Sequence, residues 1–277
     1  MRTELPEPRT AEGREGLDAV LREPGRALIA LDFDGTLAPI VADPERARPH
    51  PAAAGALRRL SGLVGTLAVI TGRPAAQAVQ LGGFADLTDL VILGQYGLQR
   101  WQAGVLTSPA PPPGVAAVRE ALPGVLAQSH ASQGTWVEDK GHALAVHTRR
   151  SADPAGTLER LRGPLDQLAA SAGLTAEPGR LVIELRPHGT DKGSALLSLA
   201  AEREPWAVVF AGDDLGDLPA FGAVRTWRAT GRPGLTVCSA SAEVTELAVQ
   251  ADLVVDGPEG ISSLLAALAG ALETPSA

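Results

Sequence analysis

A single cysteine, Cys238, stands in 277 residues. That scarcity excludes an intrachain disulfide and any zinc cluster built on thiolates, and it fits a reducing, cytoplasmic compartment. No apolar run reaches the roughly 18 residues of a membrane span, so no transmembrane helix is expected. Basic residues are in deficit, 24 Lys and Arg against 32 Asp and Glu, for a net charge of -8. A nucleic-acid footprint or an anionic-membrane surface is therefore not expected. Internal repeats are lacking too, and the only low-complexity stretch is the proline run at 108–114. The opening MRTELPEPRTAEGREG is charged with no apolar core, so no secretory signal is expected there. It reads as a frayed tail, with a short helix over 16–22.

What is present is an ordinary globular composition, 45% hydrophobic and 20% charged, in a chain long enough for one domain plus a smaller inserted one. Buried strands are expected at 27–31, 66–70 and 90–93, the last with a short continuation at 98–101. Helices are expected at 52–61 and 74–81, with a proline-rich loop between the first strand and the first of them. The proline run then breaks the alternation. Beyond it, a helix (115–128), strands (135–139 and 142–148), a long helix (153–172) and a hairpin (174–176 and 180–185, turning at 177–179) indicate an antiparallel sheet. Strand–helix alternation resumes at Asp191, with helices at 192–202, 218–223, 243–248 and 261–272 and strands at 206–211, 235–238 and 252–255. The fold class is α/β: a doubly wound parallel sheet core of residues 1–108 and 187–277, with an inserted α+β cap of residues 109–186.

The chain is organised around Leu31-Asp32-Phe33-Asp34-Gly35-Thr36-Leu37, directly after an apolar strand. Two carboxylates at the end of a buried strand repel each other and lose hydration, so they need an offset; a hard divalent cation is the usual one. Parallel sheets bind ligands at this carboxyl end. A second acidic group, Gly212-Asp213-Asp214-Leu215-Gly216-Asp217, follows another very apolar strand. Thr71-Gly72-Arg73-Pro74 ends a third. Lys192 opens a helix, where the dipole disfavours a cation unless an anion is near.

DFDGTL matches the DxDGT signature of haloacid-dehalogenase-like (HAD) phosphatases. Thr71, Lys192 and GDDLGD match their remaining motifs in order. The resemblance implies Asp32 as nucleophile forming an aspartyl-phosphate, Asp34 as general acid and base, and Thr71 and Thr36 as holders of phosphoryl oxygens. It implies Lys192 as balancing cation. It implies Mg²⁺ as cofactor, held by Asp32, the Asp34 carbonyl and Asp213, with Asp214 and Asp217 holding metal-bound waters or orienting Lys192. Arg73 could pair with a sugar or an acid.

Trp136-Val-Glu-Asp-Lys-Gly141 and Val182-Ile-Glu-Leu-Arg-Pro187, with the Asp191-Lys192-Gly193 that follows, resemble trehalose-6-phosphate phosphatases over residues 26–260. That implies hydrolysis of trehalose 6-phosphate, with sugar hydroxyls bound by Glu138, Lys140 and Glu184 first, then His147, Arg149 and Arg186. Hinges are expected at 108–114 and 186–190. Two departures are visible: GQYG stands where the family often has GNHG, and GDDLGDLPAF where it often has GDDxTDE. Other sugar phosphates, such as mannosyl-3-phosphoglycerate or sucrose phosphate, remain alternatives, as does a catalytically silent sensor. The expected partner is a small sugar phosphate, with no nucleic acid or membrane. The sequence does not set the oligomeric state; a monomer is the expectation.

Overall fold

Every residue of the apolar run ahead of Asp32 is buried in the computed structural model, which describes residues 5–41, 43–240 and 245–273. This run is β1 (Ala27–Leu31). The chain divides into two units, Met1–Thr107 with Asp191–Ala277, and Ser108–Thr190.

The first unit is an eight-stranded sheet. Its order is β12 (Leu253–Asp256), β11 (Gly234–Ala240), β10 (Ala207–Gly212), β1, β2 (Thr66–Ile70), β3 (Leu90–Gly94), β4 (Gln99–Gln102) and β5 (Val105–Thr107). The six strands from β12 to β3 run parallel. Strand order reverses between β1 and β10, since the chain leaves β1 in one direction and returns on its other side; such a reversal opens a crevice at the carboxyl ends.

β1 shows why its sequence is apolar without alternation. Ile29 and Leu31 join one core with Leu17 and Val20 of α1 (Ala11–Arg22), Leu57 and Leu60 of α2 (Pro51–Ser61), Leu81 of α3 (Ala75–Gly82) and Leu265 of α9 (Gly257–Leu272). Leu28 and Ala30 face the other core, with Leu196 and Leu199 of α6 (Lys192–Arg203), Phe221 and Val224 of α7 (Leu218–Ala229) and Leu247 of α8 (Glu246–Gln250). Both faces of the strand are covered, so both must be hydrophobic.

The second unit is a four-stranded antiparallel sheet, β6 (Trp136–Asp139), β7 (Leu144–His147), β9 (Val182–Pro187) and β8 (Leu174–Gly179), in that order. Leu144, Val146, Ile183 and Leu185 form its core with Val115, Val118 and Leu122 of α4 (Pro113–Gln128) and Leu161 and Leu165 of α5 (Pro154–Ser171). The return to the first unit follows Thr190 rather than Arg186, because β9 runs on to Pro187 before the chain turns at Gly189.

Several elements differ from the sequence expectation. The supposed tail is helical from Ala11, capped by Thr10, whose hydroxyl accepts from the Gly13 amide; residues 1–4 lie outside the described residues. Its glycines make this possible: a Cβ on Gly16 would fall 2.1 Å from the Gly234 carbonyl oxygen, so α1 lies directly on β11. The segment after β3 does not continue the strand but reverses it. Gln95, Tyr96 and Gly97 take left-handed backbone, and an antiparallel hairpin, β4–β5, closes the sheet edge. The hairpin of the second unit turns at Arg180–Leu181, not at 177–179; Pro178 is accommodated because β8 is an edge strand. The α7 helix runs six residues further than the 218–223 expected, to Ala229. Of the helix expected at 243–248, residues 243 and 244 lie outside the described residues, and α8 starts at Glu246.

Candidate active site

Three strand-end or helix-start segments of the first unit converge on a buried ionic cluster. Asp32 follows β1, and its Oδ1 lies 2.7 Å from Lys192 Nζ. The ammonium donates also to Asp217 Oδ1 at 2.8 Å. All three side chains are buried. Lys192 is presented by α6, whose start is fixed by a reciprocal cap: Asp191 accepts from the Ser194 amide, and the Ser194 hydroxyl accepts from the Asp191 amide.

Asp217 has no spare oxygen. Its Oδ2 accepts from the Asp213 and Asp214 amides at 2.9 and 3.2 Å, while Oδ1 takes Lys192. It therefore shapes the Asp213 loop and orients the lysine. Asp214, expected near the metal, is exposed and caps the short 3-10 turn that follows by accepting from the Gly216 amide. It is not in the carboxylate group that can converge on one ion, which consists of Asp32, Asp213 and Asp217.

Asp213 closes over Gly35. A Cβ at residue 35 would fall 1.9 Å from Asp213 Oδ2, and the backbone there has φ +77°, so glycine is required twice over. The Gly35 carbonyl is held by the buried Ser239 hydroxyl at 2.7 Å. Sequence reasoning missed Ser239, and nothing in its surroundings in the sequence marks it.

The electrostatics of the cluster are unbalanced. Burial, opposed by Lys192 and reinforced by Asp217 and Asp213, holds the Asp32 carboxyl well above the usual range. Burial together with Asp217 and Asp214 pushes Asp213 up to about 8. Burial alone would lower Lys192, but Asp217 and Asp32 outweigh it and hold it well above the ordinary lysine value. With all three carboxyls ionised against one ammonium, two negative charges would stand uncompensated, and a divalent cation is the natural complement. Asp213 Oδ1 is buried with no hydrogen-bond partner, as is Thr36 Oγ1. A hard cation suits such an orphaned carboxylate oxygen, so the residues fit the metal.

Asp34, expected as general acid and base, is paired with a cation. Its carboxylate is gripped by Arg73 through two bonds, Nε to Oδ2 at 2.6 Å and Nη2 to Oδ1 at 2.7 Å. Arg73, for which sugar or acid stood open, is paired with an acid. Its guanidinium also lies 5.6 Å from the centre of the Phe33 ring. Thr71 is buried, and its Oγ1 accepts from the Arg73 amide. The loop of Gln95 and Tyr96 braces this turn, the two amides donating to the Arg73 and Thr71 carbonyls at 2.8 and 3.0 Å. Left-handed backbone at two consecutive non-glycine residues costs on the order of 1 kcal/mol or more each. The departure from the family's GNHG thus falls on a strained, load-carrying loop.

The second unit gathers the remaining candidates on the sheet face away from its helices. Cross-strand register puts Glu138, Ala145, Glu184 and Glu177 in one row, with Trp136, His147 and Val182 in the next row of the same face. Lys140 donates to Glu184 at 3.0 Å, His147 bonds Glu138 at 2.9 Å, and Arg186 lies 3.9 Å from Glu177. Arg149 does not join them: it sits past the end of β7 in an exposed turn. Its neighbour Arg150 instead covers Trp136 at 4.5 Å, and His147 stacks on that ring at 4.5 Å. A countable signal was available for two of these residues. Among 24 basic residues only Lys140 and Lys192 are lysines, and both lie in shielded ion pairs.

The trehalose-phosphatase family model matches residues 30–259. The chain belongs to the trehalose-phosphatase family. A trehalose-phosphate phosphatase of Mycobacterium marinum is 30% identical over 98% of this chain and 68% of its own length. An uncharacterized glycosyl hydrolase of Mycobacterium tuberculosis is 34% identical over 72% of this chain, which corresponds to only 15% of that much longer protein. Among solved structures, the C-terminal domain of the Candida albicans trehalose-6-phosphate phosphatase superposes with a TM-score of 0.75 at 23% identity, covering 96% of this chain and 99% of that one. At that identity the likeness concerns the fold. As a member of this family the chain has a mixed α/β fold whose core is the parallel sheet described above.

Proposed function

We propose that the protein is a Mg²⁺-dependent phosphatase that converts trehalose 6-phosphate to trehalose and phosphate. The observation that carries the reading is the buried Asp32–Lys192–Asp217 cluster, with the unpartnered Asp213 oxygen beside it, in a chain of the trehalose-phosphatase family. Asp32 attacks phosphorus and becomes an aspartyl-phosphate. Lys192 offsets its charge, and Asp217 keeps the lysine aimed. Thr36 and Thr71 hold phosphoryl oxygens, and Asp34 gives and then takes a proton. The metal would be held by Asp32, Asp213 and the Asp34 carbonyl, and when bound it neutralises the developing phosphoryl charge. In this reading the polar sheet face of the second unit chooses the sugar, with Glu138, Lys140 and Glu184 binding hydroxyls, supported by His147 and Arg186.

The test is phosphate release from a panel of sugar phosphates, with and without chelator, on the wild type and on Asp32→Asn. Trehalose 6-phosphate should lead the panel, chelation should stop turnover and Mg²⁺ should restore it. Asp32→Asn should lose several orders of magnitude while remaining folded. Full turnover in excess chelator would remove the metal assignment. Preference for another sugar phosphate would remove the substrate.

A further inference from the structure

We propose that Arg73 is a positioning residue for the proton transfers of Asp34, and that the left-handed loop at Gln95 and Tyr96 exists to hold Arg73 in that task. The inference rests on the phosphatase reading above and extends it to a residue outside the reacting set.

Arg73 is fixed from every side. Its backbone is tied by the Thr71 hydroxyl and the Gln95 amide. Its guanidinium lies by the face of the fully buried Phe33 and reaches Gln77 Oε1 at 3.4 Å. A Cβ on Gly72 would meet the Tyr96 hydroxyl at 2.7 Å, so the hydroxyl end of Tyr96 packs against the turn that carries Arg73. The arginine side chain is 11% exposed, against 32% for Asp34. The pair is thus a rigid fork holding a carboxylate that still faces solvent on one side.

The two bonds fix the direction of both Asp34 oxygens, so the carboxyl group cannot turn without breaking the fork. In the first half-reaction an Asp32 oxygen bonds to phosphorus, the ester P–O bond breaks, and the leaving alkoxide takes the Asp34 proton. Asp34 is then a carboxylate, within the Arg73 fork. In the second half, the oxygen of water bonds to phosphorus, the bond from phosphorus to Asp32 breaks, and the water proton passes to Asp34. The fork holds Asp34 in one orientation through both halves; without it the carboxyl group would be free to turn.

The experiment is rapid-mixing kinetics with p-nitrophenyl phosphate, whose leaving phenolate needs little acid assistance. In Arg73→Ala the first half should stay close to wild type. The second should slow by roughly 10–100-fold, a part of the 10²–10⁴-fold that proton transfer supplies. One equivalent of nitrophenolate should then appear in a burst, followed by a slow steady state. Arg73→Ala should add little to the loss already caused by Asp34→Asn, since both act on one transfer. Arg73→Lys keeps the charge but loses the fork; it should slow the same step partially, and it serves if the alanine variant does not fold. Equal slowing of both phases, an unchanged steady state, or additive losses would overturn the proposal. If the wild type cleaves the aryl ester but not trehalose 6-phosphate, the substrate assignment fails while the burst comparison still decides the role of Arg73.

Discussion

Gly35 is the residue on which the geometry of the cluster turns. With Asp213 Oδ2 1.9 Å from where a Cβ would sit and φ at +77°, Gly35→Ala must displace either the Asp213 carboxylate or the Asp32–Thr36 turn. Activity should fall to a small fraction of wild type, and stability by about 1–3 kcal/mol. Urea denaturation and turnover measured together check this; an active, equally stable variant would mean that Asp213 tolerates relocation. At this scale the sequence was informative wherever chemistry sits next to an apolar strand, as at Asp32 and Asp213, because a buried strand end has little other reason for acids. It was silent on pairs made in space. Arg73 and Asp34 lie 39 residues apart, and Ser239 and Gly35 lie 204 apart, so only the folded sheet brings them together.

Helix α1 illustrates the element scale, where composition misled. Its charged outer face hid an apolar inner one, and its anchor is a buried carboxylate on the neighbouring strand end. Asp252 accepts from the Thr10 hydroxyl at 2.5 Å, from the Thr236 amide and hydroxyl at 2.8 and 2.7 Å, and from Arg228. Burial would raise this carboxyl, but those bonds outweigh it and hold it below the usual range. Since the folded value is depressed, the stabilisation is complete above the unfolded value of about 4 and disappears as pH falls through the folded one. Asp252→Asn should therefore lower Tm at neutral pH. The gap to wild type should stay level down to about pH 5 and narrow below about pH 4. A gap that does not change with pH would assign the effect to shape rather than charge. In the second unit the strands were legible and the family resemblance marked Glu138, Lys140 and Glu184, but the shared face of Glu138 and Glu184 follows only from the cross-strand register. Arg149 was not separable from Arg150 without knowing where the strand stops. On our reading of that face, Glu138→Ala or Lys140→Ala should cost trehalose 6-phosphate hydrolysis about 1–3 kcal/mol in kcat/KM. An aryl phosphate, lacking the hydroxyls, should be nearly unaffected. Equal losses on both substrates would assign these residues to the fold instead.

On the scale of the whole molecule, the site depends on neighbours that are far apart in the chain. Asp32 and Asp213 are adjacent because β1 pairs with β10, Leu31 opposite Ala211, and the whole of the second unit lies between them in sequence. The second unit has its own core and a sheet completed from residues 136–187. Residues Ser108–Thr190 expressed alone should fold cooperatively, with a single thermal transition by circular dichroism; a featureless melt would show that they need the first unit. Viewed along the direction of synthesis, the arrangement sets a timetable. On the ribosome β1, β2 and β3 emerge early, yet one edge of β1 has no partner until β10 follows, and the inserted unit can close first. The aspartates are thus assembled only once β10 is made, and until then β1 keeps an unpaired apolar edge.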